Sequence, residues 1–131
     1  MLSCGKPSAN ETSKEITKLE TDDAYFIQHD FPKTYFTDSV LKAKIYSNSE
    51  EWKILRAFNY CKIDDDNVFR IRHRTKVECL EFPVDDNIVQ IEFTTIGLGE
   101  KDFGTVTLVL ENKEGVKKAT ELEFPYFLIE K

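Results

Sequence analysis

The side chains able to do chemistry in this chain are few. Its 131 residues hold three cysteines (Cys4, Cys61, Cys79) and two histidines (His29, His73). A zinc centre needs three or four nitrogen, sulfur or oxygen ligands around one ion. His73 and Cys79 share the parity of one strand face, but they stand six residues apart, about 20 Å along an extended strand. They cannot share an ion. His29 lies in "IQHDF" beside Asp30, a stretch that reads as loop. A Cys–His nucleophile would need a base placed beside the thiol, and no local signature supplies one. "DDDN", Asp64–Asn67, lacks the mid-loop Gly and closing Glu of a calcium loop. It reads as a carboxylate-rich turn, as does Asp85-Asp86 after Pro83. The expectation is no catalytic residue, no metal site and no cofactor, and so no enzyme.

One charged pattern stands out. In "RIRHRTK", Arg70, Arg72, Arg74 and Lys76 fall at every second position. On a strand all four project from one face, a basic stripe about 20 Å long. Acidic neighbours on adjacent strands would neutralise it as cross-strand pairs. Left open, it would dock an acidic protein, a polyanionic glycan or lipid headgroups, with Arg supplying bidentate contacts. The chain as a whole counts 18 Lys and Arg against 24 Asp and Glu, a net charge of -6. That balance argues against a general nucleic-acid surface. No apolar run approaches the roughly 20 residues that span a bilayer.

Cys4 sits in "MLSCGKPSANETSKE", a stretch without an aromatic residue. It is an exposed thiol, a partner for Cys61 or Cys79, or a modified residue. Leu2-Ser3-Cys4-Gly5-Lys6 resembles the end of a bacterial lipoprotein signal, where a small residue precedes the acylated Cys and Gly or Ser follows. The Leu-Ser-Cys-Gly-Lys form is similar to lipoproteins of the Bacteroidetes. The resemblance implies lipidation at Cys4, although no charged or apolar signal region stands before Leu2. Two acyl chains on one residue give stable anchoring where a single chain does not. Setting Cys4 aside leaves an even pair. Cys61 and Cys79 form a disulfide in an oxidising compartment or remain two buried thiols; both readings stand.

The elements that must position these residues are strands. All ten Phe, five Tyr and the one Trp lie from Tyr25 onward. Residues 1–20 therefore read as a flexible leader or lipid tether, and 21–131 as one domain. Alternation places Leu41, Ala43 and Ile45 on one face, then Val89, Ile91 and Phe93, then Val106, Leu108 and Leu110. The last run puts Leu122 and Phe124 inward, then Phe127 and Ile129 after Pro125. A proline cannot donate to a ladder, so Pro125 marks an edge or a bulge. "SNSEEWKILRAFNY" offers a helical capping box at Ser47 and Glu50, yet Trp52, Ile54, Phe58 and Tyr60 alternate. A strand is the preferred reading. Turn signals at "SNSEE", "DDDN", "PVDDN" and "NKEG" recur at sandwich spacing.

The fold expected is an all-β antiparallel sandwich. The C-terminal run resembles the last hairpin of immunoglobulin-like bacterial domains, and a transthyretin-like sandwich fits the same pattern. The function expected is that of a non-catalytic lipoprotein, anchored in the bacterial outer membrane through Cys4. It would be an accessory or binding subunit that meets a protein partner in the cell envelope. The alternative is a small acidic inhibitor or immunity protein covering a basic toxin or enzyme.

Overall fold

The structure, a computed structural model, describes residues 16–59, 61–63, 66–69 and 80–131. Its strands are β1 (Ile16–Lys18), β2 (Ile27–His29), β3 (Thr34–Phe36), β4 (Val40–Ser47), β5 (Lys53–Asn59), β6 (Val68–Phe69), β7 (Leu80–Phe82), β8 (Val84–Asp85), β9 (Ile88–Thr94), β10 (Gly99–Glu111) and β11 (Lys117–Ile129). A short 3-10 turn, Thr21–Ala24, follows β1. A four-stranded sheet has the order β2-β4-β9-β8, and a seven-stranded sheet the order β6-β1-β11-β10-β5-β7, with β3 also paired to β11. The two form a β-sandwich, as the alternating runs imply.

Alternation is what closes the sandwich. Along β4 every second residue is buried, with Leu41, Ala43 and Ile45 inward. Their partners on β9 are Phe93, Ile91 and Val89, so apolar side chains meet across the strands on one face. The large sheet answers with Ile54, Ala57, Val106, Leu108, Leu110 and Phe124. Each fully buried Val, Leu, Ile or Phe among them contributes about 1.5–3 kcal/mol.

β10 is buried on both faces from Thr105 to Leu110, where alternation alone predicts one. A second apolar cluster lies behind the large sheet: Phe58, Cys61, Phe69, Val109 and Ala119, with Ile16 and Ile63 against it. A register shift on β5 sets this up. Val109 pairs with Arg56 but Leu110 with Ile54. The extra residue lets Ile54 and Ala57 face the inter-sheet core while Phe58 faces the second cluster.

The sheet is not wholly antiparallel. β11 pairs in parallel with β1 at Lys118↔Thr17 and Ala119↔Lys18. It pairs in parallel again with β3, from Phe127↔Thr34 to Ile129↔Phe36. Ile16–Lys18, inside the stretch expected as leader, thus belongs to the large sheet. Between β1 and β3 the chain leaves this sheet to run as β2 on the edge of the small one, Ile27 opposite Ser47.

The last strand also differs from expectation. Tyr126 packs on the core and Leu128 is buried, while Phe127 and Ile129 are 45% and 39% exposed. Pro125 does not shift the parity of its own strand. The bulge lies on the partner, between Asp102 and Thr105, where Gly104 takes a φ of 104° and donates its N–H to Asp102 Oδ1 at 2.9 Å. Only a residue without Cβ adopts that conformation without strain.

Candidate functional site

The excursion of β2 opens a groove of about 890 Å3 between β2 and β11. β2 contributes His29, and Phe31 and Lys33 follow from the return to β3. Glu123 to Phe127 of β11 form the opposite wall, and Glu100 to Asp102 of β10 the end.

The floor is aromatic. Phe31 stacks on Phe124 with ring centres 4.7 Å apart and also touches Phe93, Phe103 and Tyr126. His29 meets Phe124 edge-on at 4.8 Å. The expectation of a loop at His29 is corrected, since it ends a strand. Its Nδ1 accepts the backbone N–H of Phe31 at 3.1 Å, so the imidazole is neutral on that nitrogen. Burial holds its pKa below the usual histidine range, against the pull of Asp30 and with the help of Lys33. Burial, then the charge of Asp102, pushes the Tyr126 phenol up. The rim carries Glu100, Asp102 and Glu123 against Lys33 and Lys101.

The wall at β11 has open main-chain groups. On the side of β1 and β3, Ala119 accepts from Leu19 N at 2.7 Å and Phe127 donates to Lys33 O at 2.8 Å. Alternate residues of a strand address the same neighbour, so Glu121, Glu123 and Pro125 turn their main-chain groups to this side. β1 pairs only with Lys118 and Ala119, and β3 only from Phe127 onward. No described residue bonds the main chain of Glu123 or Pro125 there. Pro125 fits this arrangement, because its missing donor falls where nothing would accept it.

Cys4, Cys79, His73, Arg70, Arg72, Arg74 and Lys76 lie outside the described residues, as do Asp64 and Asp65. Cys61 is disulfide-bonded and 3% exposed in the second cluster. Asn67 has a φ of 63°, and its carbonyl accepts from Lys18 N at 3.0 Å. Asp86 and Asn87 have φ of 54° and 69° between β8 and β9, a tight hairpin turn. Asn87 also accepts from Ile54 N and donates to Ser47 O. Among the described residues no three His, Cys, Asp or Glu side chains are grouped to hold a metal ion. No helix among them is long and apolar enough to cross a membrane. The groove was not legible beforehand, and Pro125 within an alternating run was its one signal.

No family model matches the chain, and no curated protein matches it. Among solved structures, a superoxide reductase (neelaredoxin) from Ignicoccus hospitalis is similar over 92% of this chain and 86% of that one, at 9% identity and a TM-score of 0.41. A likeness at that level carries no argument about function.

Proposed function

We propose that this chain is an exported protein of a bacterial envelope, held on the membrane by lipid at Cys4, and that it binds a partner protein without catalysing a reaction. The observation that carries the reading is the disulfide at Cys61. Disulfides persist in exported proteins and are rare in the reducing cytosol. The Leu2-to-Lys6 stretch supplies the anchor. A fully extended segment of the length from Cys4 to Ile16 would reach at most roughly 40 Å, enough to hold a sandwich clear of lipid headgroups.

Expression of the full-length gene in an envelope-bearing bacterium tests this. The protein should label with radioactive palmitate and sediment with membranes. Cys4→Ala should release it to the soluble fraction without altering its circular dichroism. Equal solubility of the two forms overturns the anchor.

A further inference from the structure

We infer that the groove between β2 and β11 takes an extended peptide as an added strand, pairing with the open main chain of Glu123 and Pro125. Two independent features meet here. The first is the register. β1 and β3 both run parallel to β11 on one side; between them the 3-10 turn Thr21–Ala24 approaches β11, and no strand of the described residues pairs with β11 there. An unpaired edge of this kind presents a donor and two acceptors: Glu123 N–H, Glu123 C=O and Pro125 C=O. Such groups template a strand from another chain. The second is the cavity. The groove lies against this same edge, and Glu123, Pro125 and Phe127 line it.

The walls define the occupant. Side chains of an added strand alternate between the two faces of the sheet. Those pointing inward meet Phe124 and Tyr126 of β11, Phe31 and the ring of His29, surroundings for apolar groups. Those pointing outward meet Glu123, which is exposed and whose carboxylate makes no hydrogen bond or ion pair with a described residue. Asp102 is exposed at the same end. Of the two rim lysines, Lys101 folds its Nζ onto the loop, 2.8 Å from where a Cβ at Gly97 would lie, and Lys33 alone leaves the carboxylates of Glu100, Asp102 and Glu123 in excess. The ligand is therefore a peptide with apolar residues alternating with basic ones.

This site rests on the binding role proposed above but not on the anchor. Peptide binding is measured on the soluble 131-residue chain and acylation in cells, so either can fail while the other holds. The probe is acetyl-Val-Lys-Val-Lys-Val-Lys-Val-amide, followed by backbone NMR. Saturable shifts are expected at residues 121–127 and 27–33. The same peptide N-methylated at alternate residues loses the strand hydrogen bonds and should bind at least tenfold more weakly. Replacing Lys by Glu in the peptide, or Glu123→Arg in the protein, should each weaken binding roughly tenfold. Because two of these changes are in the peptide, a misfolded variant does not decide the matter. Absence of saturation at millimolar peptide, shifts confined to other surfaces, or full-strength binding of the N-methylated peptide would each overturn the proposal.

Discussion

The hydroxyl of Thr95 lies 3.0 Å from the backbone nitrogen of Ser39, 56 residues away in sequence. It accepts that N–H, and it reaches the Phe36 carbonyl at 2.7 Å and the Ser39 carbonyl at 3.0 Å. The main chain adds Thr95 N to Ser39 O and Asp38 N to Thr95 O. One side chain, 1% exposed, thus ties the crossover from β3 to β4 onto the end of β9. Thr95→Val keeps the shape and removes the hydroxyl, so the part-buried Ser39 N–H and Phe36 carbonyl lose that partner. Such a loss costs about 0.5–1.5 kcal/mol for each hydrogen bond. Urea denaturation should show that drop in stability, and Thr95→Ser should recover most of it.

His29 makes stability depend on pH. Its folded pKa is lowered, chiefly by burial. The unfolded chain therefore binds the proton more readily than the folded one. The neutral form is the one whose Nδ1 accepts from Phe31. Its contribution is fully present above about pH 6.5, the unfolded value, and is lost as pH falls below that toward the folded pKa. Carboxylates titrate lower, so the readout is a difference. The gap in Tm between the natural protein and His29→Gln should narrow from pH 7.5 to 5. A constant gap would show that His29 packs without titrating in this range.

The disulfide at Cys61 has two possible partners, and the register favours one. Asn59 pairs with Leu80 across β5 and β7. Cys61 follows Asn59 by two residues and Cys79 directly precedes Leu80 in the sequence, so Cys79 is the partner predicted. Peptide mapping without reduction should recover Cys61 linked to Cys79, with Cys4 free to react. A loop of this size is worth about 3 kcal/mol. Cys61→Ala with Cys79→Ala should lower stability by about that amount. Recovery of Cys61 linked to Cys4 would refute the pairing and remove the acylation site.

The inner faces of β4, β9 and β10 were legible because a half-buried strand writes its environment at every second residue. Leu41, Ala43 and Ile45 need no further context. What escaped is what a second layer or a change of sheet imposes. Val109 and Phe58 are buried behind the large sheet by Cys61, Ile63 and Phe69, a contact that alternation within one strand does not encode. The parallel pairings of β11 follow from the path of β2 through the other sheet. The groove arises from that path, so its members, His29, Lys33 and Glu123, are scattered along the chain. His29 read as loop because Asp30 follows it, yet the Asp30 carboxylate accepts from Lys44 N at 2.6 Å and extends the strand pairing.

The C-terminal strand gives the sharpest test of that reasoning. Sequence alternation, restarted at Pro125, assigns Phe127 and Ile129 to the core. In the structure Leu128 is 1% exposed and pairs with Gly99 on one side and Tyr35 on the other. Truncating a buried Leu removes its transfer energy and leaves a cavity, so Leu128→Ala should cost about 2–5 kcal/mol. Ile129 lies on the outer face, opposite Phe36. Ile129→Thr keeps a branched side chain suited to a strand and should change stability by no more than about 0.5 kcal/mol. Paired urea melts separate the two parities. If Ile129→Thr is the damaging change and Leu128→Ala the silent one, the strand runs one residue out of the register described. The main-chain groups turned toward the groove would then belong to Leu122, Phe124 and Tyr126, and Pro125 would face β10.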